Sequence, residues 1–268
     1  MSDLILGADI SSLQGRCDFV KMRDEGGIRF LWIRSSGAIG GAGIDPLAKA
    51  NAAGARAAGL PAGPYHVFHH GQAAERSAEA CIGAVDDLGW APGDLPPVID
   101  AEIPYDVKDI AGTVVSSLER FVEAFERRFL RMPVIYGYKP WYDQLGAALT
   151  SSSVLAGCEF WVAAYPFLGP YPKAKLNVSK LPKTPKIWPL PIAWQYSGNH
   201  SEPLPGVPRQ PCMQGHKDCR PIDRNVFLGD ELAFARFRGL EVGEGGPVHG
   251  THVVEASLAR RGSCPDDR

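Results

Sequence analysis

"PFLGPYPKAKLNVSKLPKTPKIWPLP", residues 166–191, carries seven prolines. Proline inside a helix removes a backbone donor and clashes with the preceding turn, at about 3 kcal/mol. This stretch therefore cannot hold a regular crossover helix, and neither can residues 199–221, which carry five more prolines. Whatever alternation of strand and helix precedes residue 165 must end there.

Upstream, apolar runs bounded by glycine, proline or charge predict six strands: "LILGADI" (4–10), "FLWIRSS" (30–36), "GPYHVFH" (63–69), "PPVIDAE" (96–102), "PVIYGY" (133–138) and "EFWVAAY" (159–165). Helical segments separate them. "DFVKMRDEG" follows the first strand, and "DPLAKANAAGARAAG" opens with Asp-Pro and stops at Gly59. "QAAERSAEACIGAVDDLG" follows the third. Val114, Leu118, Phe121, Val122, Phe125 and Phe129 then repeat at steps of three and four, as one apolar helix face does. Pro140 opens a fifth helix. Beyond the proline stretches, "PIAWQY" (191–196) and "PIDRNVF" (221–227) complete eight strands.

Right-handed β-α-β crossovers thus run for five units and stop. The last three strands connect by loops, and some can run antiparallel. The predicted fold is α/β, a TIM-barrel-like (β/α)5(β)3 barrel with an incomplete outer helix ring; an open doubly wound sheet is the alternative. The barrel is expected over residues 1–238, with a Gly-rich, flexible tail over 239–268.

The chain has 268 residues, 45% of them hydrophobic, and a formal charge of -2. That length can bury one large core. Near-neutral charge gives no electrostatic footprint for nucleic acid, which argues against an anionic polymer as partner and leaves a neutral one open. "MSDLILGADI" has no basic region ahead of an apolar stretch, so no signal peptide is read. No apolar run approaches the roughly 18 residues of a membrane span. Six scattered cysteines are too few for a disulfide scaffold. Cys212, His216 and Cys219 offer zinc three ligands where a structural site takes four, so that run reads as a short-range disulfide or two free thiols.

Side chains two apart on a strand share a face, so Asp100 and Glu102 project together where the fourth strand ends. Like charges and burial raise a carboxyl's pKa, and a carboxyl protonated near neutral pH can act as a general acid. Asp9 ends the first strand and Asp223 lies on the last, its neighbour once a barrel closes. Taken alone, Asp9 ahead of "SSLQG" also reads as a helix cap. The functional reading rests on acids recurring at three strand ends, where barrels of this kind hold their active sites. Four converging acids without a basic counterweight are costly unless chemistry or a metal justifies them. Tyr65, Tyr136, Tyr138, Trp161, Tyr165, Trp194 and Tyr196 cluster near strand ends, and alternation aims about half of them into the lumen. Those facing the mouth would give flat platforms suited to sugar rings.

In this order, "GADISSLQGRCDF", "GLPAGPYHVF", "VIDAE", "VIYGY", "FWVAAY", "IAWQYSG" and "PIDRNVF" resemble glycoside hydrolase family 25, the Chalaropsis-type lysozymes or N-acetylmuramidases, from about Gly7 to Leu228. The resemblance implies a barrel of five β/α units and three further strands. It also implies cleavage of the β-1,4 bond between N-acetylmuramic acid and N-acetylglucosamine in peptidoglycan, without metal or organic cofactor. Carried over by position, Glu102 resembles the general acid, Asp100 its partner carboxylate, and Asp9 and Asp223 the remaining acids of the cleft. Tyr65, Tyr138, Trp161, Tyr165 and Gln195 fall where family members line the glycan groove, whereas Tyr136 and Tyr196 read as packing. Asp100 is poorly placed for in-line attack, so the substrate's 2-acetamido group is the expected nucleophile.

His69 and His70 depart from the family pattern. Adjacent strand residues point oppositely, so they are not expected to share an ion. The 199–221 segment is long and could overhang the cleft. Without a signal peptide, the chain would be made in the cytoplasm and reach the wall through a holin or an injection apparatus, to which the tail could dock. Rival readings are a chitinase-like hydrolase and a glycan-binding module without turnover. The first expects D-x-x-D-x-D-x-E, where residues 94–102 read "DLPPVIDAE".

Overall fold

The computed structural model describes residues 4–38, 41–71, 73–91, 93–103, 106, 108–166, 176–177, 181–198, 203–208 and 222–241. The Cys212–His216–Cys219 run and the tail beyond residue 241 lie outside these. In chain order the elements are β1 (Leu6–Ile10), α1 (Phe19–Asp24), β2 (Phe30–Ala38), β3 (Gly41–Ile44), α2 (Ala48–Ala57), β4 (Ala62–His69), α3 (Ala74–Asp87), β5 (Val98–Ile103), α4 (Ala111–Phe129), β6 (Val134–Tyr138), α5 (Lys139–Thr150), β7 (Glu159–Ala163), β8 (Ala193–Ser197), β9 (Asp223–Phe227) and α6 (Glu231–Phe237).

Eight of the nine strands close into a barrel, β1-β9-β8-β7-β6-β5-β4-β2, sealed by the β1–β2 pairing. Closure disposes of the open doubly wound alternative. Every barrel pairing is parallel except those of β9, which runs antiparallel to both β1 and β8. Sequence patterning misses β3, a short strand hairpinned onto β2 outside the ring, and α6. The α6 helix is capped by Asp230, which accepts from the Ala233 N–H at 2.7 Å.

Alternation splits each strand between two cores. Outward residues such as Phe68, Ile99, Ala101 and Ile135 pack beneath α3, α4 and α5, against the Val114, Leu118, Phe121, Val122 and Phe125 face foreseen from its spacing. Inward residues fill the lumen: Ile5, Phe30, Trp32, Val98, Val134, Tyr136, Trp161, Ala193 and Phe227, with Phe234 of α6 closing the base against Phe30 and Phe227. Gly7 leaves room for the Phe30 ring, since a Cβ there would stand 2.3 Å from it. Where a sixth helix would lie, the proline-rich loop lays Trp188 flat on Phe160, centroids 4.4 Å apart, and its indole donates to the Leu155 carbonyl. Leu204 and Val207 cover the β1–α1 side in the same way.

Cys81 and Cys158 are buried free thiols and Cys17 a half-buried one; burial raises all three pKa values, Cys17 to about 11. No helix among the described residues is long and apolar enough to cross a membrane.

Candidate active site

The mouth is the end at which the parallel strands finish, and β9, running the other way, brings its first residue there. Asp9 of β1 lies directly opposite Asp223 of β9 in the antiparallel register. The two carboxyls hydrogen-bond each other, and both are pushed upward, first by burial. Ser11, not Asp9, caps the short turn that follows: its side chain and that of Gln14 form a capping box. Asp9 is thereby left to the lumen.

Asp100 and Glu102 reach the same mouth from β5. The β4–β5 register passes from Val67 opposite Asp100 to His69 opposite Ile103, so β5 carries one extra residue here. Such a bulge re-aims side chains at a barrel rim. Burial and the neighbouring Glu102 charge push Asp100 well above the ordinary carboxylate range, and the Asp9 charge adds to this. Burial, then the Asp9 charge, lifts Glu102 to about 7. All four acids act on one another electrostatically, so they share one site.

A basic counterweight exists that sequence reasoning passed over. Arg34 of β2 stands in register with Tyr65 of β4, its guanidinium donating to the Gly37 carbonyl. Its positive charge offsets part of the upward push on Asp100 and Tyr65. The signal was available, because Arg34 shares the inward face of Phe30 and Trp32 in "FLWIRSS".

Beneath the acids lies a polar network. Asp9 Oδ2 accepts from Gln195 Nε2 at 2.9 Å and from Asn225 Nδ2 at 2.8 Å. Gln195 Oε1 accepts from the Tyr136 hydroxyl at 2.8 Å and the Tyr165 hydroxyl at 2.5 Å. Asn225 Oδ1 accepts from the Trp161 indole N–H at 3.1 Å.

This network relocates several residues expected to touch sugar. Trp161 is 2% exposed, stacked on Trp32 with centroids 4.2 Å apart, and offers no open ring face. It shares the inward face with Tyr165, but strands rise about 3.3 Å per residue, which sets it up to ~13 Å deeper. Gln195, also buried, holds Asp9. Tyr136, read from sequence as packing, belongs to the site: burial and the charges of Glu102, Asp100 and Asp9 raise its hydroxyl. Tyr196 packs in the outer core, as expected. Tyr65 and Tyr138 are partly buried at the mouth, and Tyr165, 50% exposed, forms its lip.

His69 and His70 do not diverge. The strand ends at His69, alternation ends with it, and the two rings stack with centroids 5.5 Å apart. Among the described residues no three His, Cys, Asp or Glu side chains gather as metal ligands. His66 is held neutral, pushed down to about 4 by burial between the Ser36 and Ser77 hydroxyls.

A closed barrel whose mouth gathers two carboxylate pairs under a tyrosine lip has the equipment of a glycoside-bond hydrolase. The family model described as "Glycosyl hydrolases family 25" matches residues 8–206, and the chain belongs to that family. Among solved structures, a bacterial lysozyme from Streptomyces coelicolor superposes with a TM-score of 0.66 at 22% identity, covering 90% of this chain and 98% of that one. A muramidase from Acremonium alcalophilum gives 0.65 at 24% identity, covering 88% and 97%. The catalytic domain of an endolysin from a Listeria monocytogenes bacteriophage gives 0.59 at 19% identity, covering 88% and 98%. At these identities the likeness is one of fold. No curated protein sequence matches the chain.

Proposed function

We propose that the protein is a peptidoglycan muramidase, hydrolysing the β-1,4 bond between N-acetylmuramic acid and N-acetylglucosamine. One observation carries the reading: in a family 25 barrel, Glu102 lies at the mouth beside Asp100, with its pKa lifted to about 7. Two carboxylates so close and so buried do not both ionise cheaply, so the pair retains a proton near neutral pH. Solved relatives of the same fold are described as lysozyme and muramidase.

In this mechanism Glu102 gives its proton to the glycosidic oxygen as the bond to the anomeric carbon breaks. The carbonyl oxygen of the substrate's 2-acetamido group attacks that carbon from the opposite face, while Asp100 accepts the acetamido N–H and balances the positive charge. Glu102, now a carboxylate, takes a proton from the water that opens the cyclic intermediate. The product retains its anomeric configuration; NMR showing initial inversion would rule the scheme out. Tyr165, Tyr138 and Tyr65 provide the sugar-facing edges in this reading. Docking of the tail onto a phage or injection apparatus belongs to the same proposal and rests on composition alone.

Turbidity loss on purified cell walls, with mass spectrometry of the released ends, tests the substrate. Muramic acid at the new reducing ends is the expected result. Glucosamine reducing ends, or turnover of chitin in preference to cell wall, would transfer the chain to the chitinase-like reading. Binding without turnover in the parent protein would make it a glycan-binding module.

A further inference from the structure

Asn225 is 0% exposed and lies within the barrel wall, where an amide has no reason to be unless something needs its two ends. One end meets the Trp161 indole and the other meets Asp9. An indole N–H can only donate. The Asn225 oxygen must therefore face Trp161, which leaves its NH2 no orientation but toward Asp9. The opposite flip would set donor against donor on one side and oxygen against carboxylate on the other.

Gln195 completes the arrangement from β8. It is in register with Asn225 and supplies the second amide donor to the same oxygen of Asp9. With two amide donors on Asp9 Oδ2, the hydrogen bond between Asp9 and Asp223 is best met by a proton on Asp223 and charge on Asp9.

We infer that Trp161, Asn225 and Gln195 form a positioning relay that keeps the negative charge of the Asp9–Asp223 pair on Asp9, facing Glu102, and so sets the pH at which the acid gives up its proton. The inference rests on the muramidase reading only for the reaction that the proton serves. The groups that face Asp9 across the mouth are Asp223 from β9, Asp100 and Glu102 from β5, Tyr65 from β4, Tyr136 from β6 and Tyr165 beyond β7; Arg34 from β2 answers Asp100 and Tyr65. Tyr165 extends the relay to the surface. Its hydroxyl bonds Gln195 while the residue as a whole is half exposed, so a glycan that recruits this hydroxyl would loosen one support of the Asp9 charge.

The test reads Glu102 directly, through NMR titration of 13C-labelled glutamate carboxyls, with Glu102→Gln to assign the signal. In Asn225→Leu, of similar size but without a donor, Asp9 binds a proton more readily and the Glu102 midpoint falls by about half to one pH unit. Trp161→Phe keeps an aromatic ring on Trp32 and removes the N–H that orients Asn225 together with part of the indole's volume. Because both amides still donate to Asp9, it moves the midpoint in the same direction by less. It also keeps the question open to measurement should Asn225→Leu not fold. An unchanged midpoint in the folded variants overturns the relay. Cell-wall turnover is measured in parallel: the alkaline limb of kcat/KM follows the same shift, whereas a merely structural role lowers kcat at every pH alike. The titration needs no turnover, so failure of the parent to cleave cell wall would remove the proposed function and leave the relay standing or falling on the NMR midpoint.

Discussion

Replacing Glu102 by glutamine keeps the shape of the side chain and removes its titration, and the structure sets the size of the consequence. Burial and the Asp9 charge hold this carboxyl at about 7, against an ordinary 4.5. A folded pKa above the unfolded one means that the native chain binds the extra proton. The stability this confers is complete below the unfolded value and is lost as pH rises through the folded one. Each pH unit of difference is worth about 1.4 kcal/mol, so the ceiling is ~3.4 kcal/mol. Glu102 is not fully buried, and screening by water at the mouth brings a realistic figure to about 2 kcal/mol. For a chain of this size that corresponds to roughly 4–8 °C in Tm. Thermal unfolding of parent and Glu102→Gln at about pH 5 and about pH 8.5 checks it. The two proteins should lie close together at the lower pH, with the variant the more stable at the higher. Cleavage in the variant should fall by about 10²–10⁴-fold while glycan binding is largely kept. A gap between the two that is the same at both pH values would refute the reasoning, because Glu102 would then ionise as freely in the folded chain as in the unfolded one, and the proton donor would have to be sought elsewhere.

Asp100→Asn should cut turnover on cell walls by about 10²-fold or more, with a much smaller change in glycan affinity measured by calorimetry; equal losses in both would make Asp100 a binding group only. Gly7→Ala places a methyl group into the fully buried Phe30 ring and should cost about 1–3 kcal/mol in denaturant unfolding; an unchanged midpoint would show that the ring is not held where the lumen packing puts it. His66 is depressed to about 4 from 6.5, so the stability it contributes is present above 6.5 and lost as pH falls toward 4. His66→Gln should therefore flatten the acid side of the stability profile, a difference of up to about 3 kcal/mol in urea titrations run across that window.

Reading the site from the chain succeeded where a local rule governed it. Asp100 and Glu102 share a face because strand side chains alternate, and the α4 face announces itself by its spacing. It failed where the answer depends on depth or on partners. Trp161 and Tyr165 have the same parity, so alternation could not say that one lies sealed in the floor and the other stands at the lip. Asn225 sits in a quoted motif but carries no charge, and only its neighbours across two strands reveal what it holds. Arg34 was visible and was missed because its β2 run was read as apolar.

By itself the sequence determined that crossover helices stop after five units, since proline cannot occupy a helix interior, and that acids alternate into the mouth of whatever the strands enclose. The tertiary structure alone decided that β9 runs backward and sets Asp223 against Asp9. A hydrogen bond between two carboxyls, and two amides aimed at one oxygen, depend on the register of strands distant in the chain, which no local pattern encodes.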